Sequence, residues 1–157
     1  MKSKKGMTLV EIMISMTIIA FLAVMAIVFL NPTAQMKKAR DTQRKKDLNR
    51  IKIAFEDYLN DKNCYPNQNL VDSLNNATNC KSGVFSPWLT IWPCDPKEAL
   101  SYPLVVGDDG NCPKWYKIMT NLENSNDPQI SDQGGIGLSV GVSVNYGVSS
   151  GNVLNSQ

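Results

Sequence analysis

A single carboxylate lies near the start of an apolar stretch close to the N-terminus of this 157-residue chain. Twenty of the 24 residues in Met7–Leu30 are apolar, and Glu11 is the only charged one. As a helix the stretch would be about 36 Å long, which is enough for a bilayer core of about 30 Å. An ionised side chain at that depth costs about 2.5–3.5 kcal/mol and therefore marks a candidate functional site. Glu11 needs a cationic partner, and the stretch contains none.

The residues before the stretch indicate where that cation could come from. Three Lys among the first five residues, followed by Gly6, precede Met7. A cleavable secretory signal has a shorter apolar region, and its small residues come after that region rather than before it. A cut between Gly6 and Met7 would create an α-amino group four residues from Glu11, and a neighbouring copy could present the same amine. The alternative is an uncut signal anchor.

The segment GMTLVEIMISM, which begins at Gly6, resembles the class III leader junction of type IV pilins and type II secretion pseudopilins. The resemblance implies that a prepilin peptidase cuts after Gly6, that the new N-terminus at Met7 is methylated, and that Glu11 pairs with the terminal amine of an adjacent copy during assembly. Met7 replaces the Phe that is usual in the family, at a position that tolerates other apolar residues. The implied partners are other copies in a homopolymer, an inner-membrane assembly machinery with an ATPase, and membrane lipid before assembly. The implied location is the cytoplasmic membrane, crossed once with the head outside, and then an extracellular filament.

A second helix is predicted after the apolar stretch. Asn31-Pro32 should interrupt the first helix, because Pro lacks an amide donor, and Asn31 can cap the next one. An apolar stripe at helical spacing predicts an amphipathic helix from about Thr33 to about Asn60: Leu48, Ile51, Phe55, Tyr58 and Leu59. The predicted organisation is a leader at 1–6, a transmembrane or filament-core helix at 7–30, an amphipathic stem at 31–62 and a globular β-rich head at 63–157.

The predicted stem carries eight basic residues: Lys37, Lys38, Arg40, Arg44, Lys45, Lys46, Arg50 and Lys52. A solvated helix face is the favoured interpretation, followed by contact with the acidic head of another copy. Nucleic-acid binding is the least favoured, because no aromatic residues are interleaved for base stacking. The run also conflicts with the positive-inside rule, which would place the head in the cytoplasm. The leader resemblance and the cysteines favour the opposite side.

All four cysteines follow the apolar stretch: Cys64, Cys80, Cys94 and Cys112. Their spacing matches no zinc pattern, and the chain contains no His. Two disulfides formed in an oxidising compartment are therefore expected. Three pairings are possible; we favour Cys64–Cys80 with Cys94–Cys112, because each would close a short loop.

The head is expected to contain a small antiparallel sheet. Apolar runs at residues 102–106 and 115–120, separated by a turn-rich segment, predict a hairpin. Alternation from Ile136 to Val148 predicts a further half-buried strand or hairpin, with a loop at 121–135 between them. The fold class is therefore α+β, with a long N-terminal helix packed on a β-sheet head stapled by disulfides.

Three short motifs in the head resemble pseudopilins and related pilins: Tyr65-Pro66, Asp95-Pro96 and Leu122-Glu123-Asn124. An acidic loop binds calcium in the major secretion pseudopilins, and the corresponding candidates here are Asp108, Asp109, Asn111, Asp127 and Asp132. A turn without metal is the favoured interpretation of these residues, and no metal or other cofactor is expected.

Composition argues against an enzyme. The chain has no His, no nucleophile elbow and no phosphate-binding loop, and its net charge of +2 points to no particular partner. The expected function is a structural, pilin-like subunit of a type IV pilus. A type II secretion pseudopilin is one alternative, and a membrane-anchored binding protein that does not polymerise is the other.

Overall fold

A computed structural model of the chain describes residues 6–107, 111–132 and 144–151, with the side chains of residues 131 and 132 left out of the description. The chain divides into two compact units, Met1–Met36 and Lys37–Gln157. Helix α1 spans Leu9–Leu30 and helix α2 spans Pro32–Lys62. Two shorter helices, α3 at Gln68–Asn75 and α4 at Pro128–Asp132, and three strands belong to the second unit.

The predicted break between the first two helices is confirmed. Asn31 adopts a left-handed conformation with φ 41°, which ends α1, and Pro32 begins α2. The Asn31 Oδ1 accepts hydrogen bonds from the Thr33 hydroxyl at 2.8 Å and from the Ala34 amide at 3.4 Å. Asn31 therefore ends one helix and caps the next, and Pro32 occupies a position where its missing amide costs nothing.

Helix α2 forms the spine of the second unit. Leu48, Ile51 and Phe55 are fully buried on one face, as the apolar stripe predicts. Phe55 lies at the centre of an aromatic cluster, with its ring 4.9 Å from that of Tyr116 and 5.2 Å from that of Phe85. Such ring contacts add to the stabilisation from apolar burial.

The sheet has three antiparallel strands in the order β1-β2-β3. Strand β1 is Leu104–Val106, β2 is Tyr116–Thr120 and β3 is Tyr146–Ser149. Pairing of Leu104 with Ile118 confirms the predicted hairpin. Gly107 directly follows β1. A Cβ at this position would lie 2.5 Å from the Trp115 indole, so only glycine fits there without displacement of the ring.

Of two expectations for the end of the chain, one needs correction and the other falls partly outside the described residues. The segment predicted as a loop at 121–135 contains the short helix α4, preceded by a hydrogen bond from the Gln129 amide to Asp127 Oδ1 at 3.0 Å. This local capping bond outweighs the polar composition that suggested a loop. Of the alternating residues from Ile136 to Val148, those at 136–142 lie outside the described residues, and Tyr146–Ser149 forms β3.

Both disulfides form, but the favoured pairing is wrong: the structure joins Cys64 to Cys112 and Cys80 to Cys94. The Tyr65 amide donates to the Pro113 carbonyl at 3.0 Å, so the chain leaving α2 runs beside the segment that enters β2, and Cys64 meets Cys112 across 48 residues. The Lys81 amide donates to the Trp92 carbonyl at 2.9 Å, which aligns Cys80 with Cys94. Backbone pairing between the flanking segments, which are 48 residues apart for Cys64–Cys112 and 14 for Cys80–Cys94, therefore decides the connectivity.

Candidate functional site

The junction between Gly6 and Met7 lies outside the helix and is open. Helix α1 begins at Leu9, after Thr8, whose hydroxyl accepts a hydrogen bond from the Glu11 amide at 3.3 Å. Met7 is 64% exposed, and no atom lies within 4 Å of the position that a Cβ on Gly6 would occupy. A protein that cuts between Gly6 and Met7 would find a non-helical and accessible backbone there.

Glu11 is the acidic residue in the first turn of α1. Its side chain is exposed and forms no ion pair within residues 6–107, 111–132 and 144–151. Its backbone carbonyl accepts a hydrogen bond from the Ser15 hydroxyl at 2.8 Å, and this bond does not involve the Glu11 carboxylate. The carboxylate is therefore available to a cation, and a first-turn position also suits its negative charge.

The surface of α1 is apolar on all sides. No residue of Leu9–Leu30 is buried, and the helix is long and apolar enough to cross a membrane. A helix that is apolar all round requires either lipid or other helices over its whole circumference. Glu11 is thus the one charged position on a surface that needs apolar neighbours.

A second group of functional candidates lies in the head, around a buried arginine. Arg44 is 3% exposed and its guanidinium reaches three carboxylates. Its Nε donates to Asp95 Oδ2 at 2.6 Å, while its Nη1 donates to Asp41 Oδ1 at 2.8 Å and to Glu123 Oε1 at 3.0 Å. We call these four residues the Arg44 cluster.

The Arg44 cluster joins two of the motifs that resemble pseudopilins. Asp95 begins the Asp-Pro turn, where its Oδ1 accepts from the amides of Lys97 and Glu98. Asp41 accepts from the amides of Glu123 and Asn124 at 2.9 and 2.8 Å, which fixes the segment after β2. One turn of α2 therefore positions both loops.

Charge pairing shifts the pKa values of the cluster. Burial would lower the pKa of Arg44, but the hydrogen bonds to Asp95 and Asp41 raise it above its ordinary value. Burial would raise the pKa of Asp95, whereas the Arg44 hydrogen bond and two backbone amides together lower it. The hydrogen bond from Arg40, whose Nη2 lies 2.6 Å from Glu123 Oε2, is the main cause that lowers the pKa of Glu123 to about 2.

The cluster corrects the favoured interpretation of the basic run. Arg40, Arg44 and Lys45 pair with acids of the same head, the last through an ion pair of 2.6 Å to Asp127. They are not part of a solvated face, and Arg44 lies on the buried side of α2 with Leu48. The spacing of Arg44, Leu48 and Ile51 could have revealed this, because a charge in register with an apolar stripe must be buried and paired. The remaining basic residues of the run are exposed: Lys37, Lys38, Lys46, Arg50 and Lys52.

The candidate calcium ligands do not form a common site in the described residues. Asp127 forms an ion pair with Lys45, and the hydrogen bond that Lys45 donates lowers the pKa of Asp127. Asp108, Asp109 and the side chain of Asp132 lie outside the description. Where side chains are described, no group of three Cys, Asp or Glu residues could hold a metal ion.

Acid should weaken the attachment of α2 to the head through Glu123. Its pKa is about 2 in the folded state against an ordinary value of 4.5, so the unfolded state takes up the proton first as the pH falls. The stabilisation is therefore present above about pH 5 and is lost towards pH 2. Urea unfolding followed by Trp fluorescence measures the free energy of unfolding of wild type and of Glu123→Gln. The difference between the two should be largest near neutral pH and should disappear in acid.

The matched control for this titration is Glu98→Gln. Glu98 is exposed and forms no ion pair in the described part of the chain. Its replacement should therefore change the free energy of unfolding only slightly at every pH. A gap for Glu123→Gln that stays constant between pH 7 and pH 2 would contradict the role assigned to its ion pairs.

Residues 1–27 match the family model described as the prokaryotic N-terminal methylation motif, which is the class III prepilin leader of type IV pilins and pseudopilins. Comparison with curated proteins and with solved structures gives no match. The N-terminal resemblance is thus confirmed, and it covers the junction at Gly6, Met7 and Glu11. The motif is that of structural proteins that are processed and then polymerise, which fits an anchoring helix of the kind described for α1.

Proposed function

We propose that this chain is a pilin-like structural subunit of a type IV pilus, without enzymatic activity. The observation that carries the proposal is the open Gly6–Met7 junction next to an all-round apolar helix whose only charge, Glu11, has no ion-pair partner in the described residues. The methylation motif at residues 1–27 supports the same conclusion. In this proposal residues 1–6 are the leader, 7–30 the membrane and filament-core helix, 31–62 the stem and 63–157 the head.

In the proposed mechanism, helix α1 moves from one apolar environment, the membrane lipid, to another, the neighbouring α1 helices. A prepilin peptidase cuts after Gly6 and the free amine of Met7 is methylated. An assembly machinery with an ATPase then moves α1 from lipid to a bundle of neighbouring α1 helices. The carboxylate of Glu11 pairs with the terminal amine of an adjacent copy, which removes the cost of an unpaired charge in apolar surroundings. Misaligned copies leave both charges unpaired, so the pair selects the axial register.

The disulfides of the head support an outside location. Two disulfides, one across 48 residues and one across 14, are typical of an oxidising compartment. Three of the eight basic residues after the apolar helix are neutralised by acids of the same head, namely Arg40, Arg44 and Lys45. The positive-inside rule counts Lys and Arg rather than net charge, so this pairing leaves the conflict with the rule in place, and the proposed outside location rests on the disulfides and the leader motif.

Mass spectrometry of the mature N-terminus tests the proposal. We expect a chain that begins with N-methylated Met7 and lacks residues 1–6. In the control Gly6→Leu, the bulky side chain should block cleavage, so that the full-length chain accumulates. An unprocessed wild-type chain in its native membrane would overturn the proposal in favour of a membrane-anchored binding protein.

A type II secretion pseudopilin is the second candidate. It is favoured by the way the Asp-Pro turn and the Leu122-Glu123-Asn124 segment, both of which resemble pseudopilins, are held together by Arg44 and Asp41. Deletion of the gene distinguishes the two: loss of surface filaments supports a pilus, whereas loss of protein secretion with filaments retained supports a pseudopilin.

A further inference from the structure

The head contains a cavity of about 230 Å³ beside the Arg44 cluster. Its walls come from the Asp-Pro turn, from the segment that leads into β1, and from the end of β2 with the residues that follow it. The cavity is much larger than the volume of one water molecule in the liquid, about 30 Å³, and smaller than the pockets of about 300–1,000 Å³ that hold drug-sized ligands. Its size therefore suits a ligand of about one six-membered ring with its substituents.

Thr120, the last residue of β2, brings a hydroxyl group without a partner to this cavity. Tyr116, Ile118 and Thr120 share one face of the strand, because successive side chains alternate, and Ile118 on that face belongs to the core. Thr120 is 4% exposed, and its hydroxyl forms no hydrogen bond among the described residues. Every fully buried side-chain oxygen in the described part of the chain has a partner. The hydroxyl of Thr120 therefore reaches open space, which here is the cavity that this residue lines.

Other polar groups at the cavity are also free to bind a ligand. The side chains of Lys97, Glu98 and Asn121 line it, and within residues 6–107, 111–132 and 144–151 none of the three forms a hydrogen bond or an ion pair. The guanidinium of Arg44 donates four of its five N–H groups to carboxylates, which leaves one N–H of Nη2. Together with the Thr120 hydroxyl, these groups offer hydrogen-bond donors and acceptors side by side.

The charges and the apolar wall of the cavity favour a ligand without net charge. The acids of the Arg44 cluster that line it are already held in ion pairs. The two charges that remain unpaired in the described residues, Lys97 and Glu98, have opposite signs, so an ion of either sign meets one repulsive neighbour. Leu100, which is 48% exposed, and Pro103 add an apolar surface. The ligand that fits is neutral, rich in hydroxyl groups and apolar on one face.

We propose that this cavity binds one sugar ring, a neutral hexose or N-acetylhexosamine. The hydroxyls at the edge of such a ring both donate and accept, which matches the Thr120 hydroxyl and the Asn121 amide. Lys97 donates to the ring and Glu98 accepts from it. The C–H face of the ring packs against Leu100 and Pro103. This binding concerns the head alone and does not depend on whether the chain polymerises.

Ligand-observed NMR of the detergent-solubilised full chain tests the proposal. The probes are the methyl β-glycosides of glucose, galactose and N-acetylglucosamine. We expect at least one of them to bind with a dissociation constant of about 1 mM or tighter, which a few hydrogen bonds and one apolar contact can supply. Glucuronate and glucosamine should bind about tenfold more weakly, because each brings a charge towards a like charge. Methyl β-lactoside distinguishes the source of the sugar: equal affinity indicates the end of a glycan, and lost affinity indicates a free sugar.

Two variants separate ligand binding from a structural role. Thr120→Val removes the free hydroxyl and keeps the shape of the side chain, so it should weaken binding about tenfold. Its midpoint of urea unfolding should be unchanged or higher, because the hydroxyl has no partner to lose in the described head. Asn121→Ala, at an exposed position, should also weaken binding by about threefold to tenfold. The matched control is Thr90→Val, which makes the same substitution at an exposed position outside the cavity and should bind as wild type does.

Three results would overturn the inference. The first is the absence of detectable binding for all three neutral glycosides. The second is a Thr120→Val chain that binds as wild type does, or that loses binding and stability together. The third is tighter binding of glucuronate or glucosamine than of the neutral sugars. Each of these results leaves the proposed function standing, since that function is tested separately by the mass of the mature N-terminus.

Discussion

Replacing Arg44 with methionine is expected to lower the free energy of unfolding of the head by about 3–5 kcal/mol. The side chain of Arg44 is 4% exposed and that of Asp41 is 3% exposed, so removal of the guanidinium leaves carboxylates with little access to water. Glu123 retains its pair with Arg40, whereas Asp41 and Asp95 lose their only cation in the described residues. Leaving a buried charge without a partner destabilises the folded state by far more than the intact pair stabilised it.

Urea unfolding of the detergent-solubilised full chain, followed by fluorescence of the head tryptophans, measures this effect. Arg44→Lys should also be destabilised, because one ammonium cannot reproduce the fork that contacts three carboxylates. The matched control is Lys46→Met on the exposed face of α2, which should change the free energy of unfolding by less than about 0.5 kcal/mol. An Arg44→Met protein as stable as the control would show that the cluster does not hold the head together.

Replacing Glu11 with alanine should leave membrane insertion intact but reduce the filament yield by about 100-fold. The substitution removes the only charge of α1, which favours insertion. In the filament it leaves the terminal amine of the neighbouring copy without a partner in apolar surroundings. A cost of about 2.5–3.5 kcal/mol for each added copy corresponds to about two orders of magnitude in the equilibrium for its addition.

The measurement is the ratio of sheared filament to membrane-bound subunit, together with the mass of the mature N-terminus. The control Thr17→Ala removes a polar side chain whose hydroxyl only donates to the Ile14 carbonyl, so filament yield should be unchanged. Glu11→Ala subunits that are cleaved and methylated yet polymerise at the wild-type level would contradict the pairing mechanism.

Local features of the sequence predicted the helical part of the fold well. The apolar composition of Met7–Leu30 and the break at Asn31-Pro32 depend on neighbouring residues only, and both appear in the structure. The first hairpin was also predictable, since its two strands lie close in the chain and a turn-rich segment joins them. The junction at Gly6, Met7 and Glu11 is a linear motif, so no fold was needed to find it.

Features that depend on contacts between distant segments were not predictable in the same way. The pairing of Cys64 with Cys112 follows from the approach of the end of α2 to the entry of β2, a contact across 48 residues. Likewise, Arg44 and Lys45 look like part of a solvated basic run until Asp95, Glu123 and Asp127 are brought to them from other parts of the head.

The sequence by itself determined which helix is long and apolar enough to cross a membrane, where the methylation motif lies and which charge lies in the apolar helix, because each of these depends on the chemistry of adjacent residues. Only the tertiary structure decided which cysteines join, which basic residues of α2 form ion pairs within the head and which remain exposed on the outer face of α2. Those outcomes depend on which segments approach each other in the fold. Side chains within hydrogen-bonding distance can be more than 80 residues apart in sequence, as Arg40 and Glu123 are with a separation of 83.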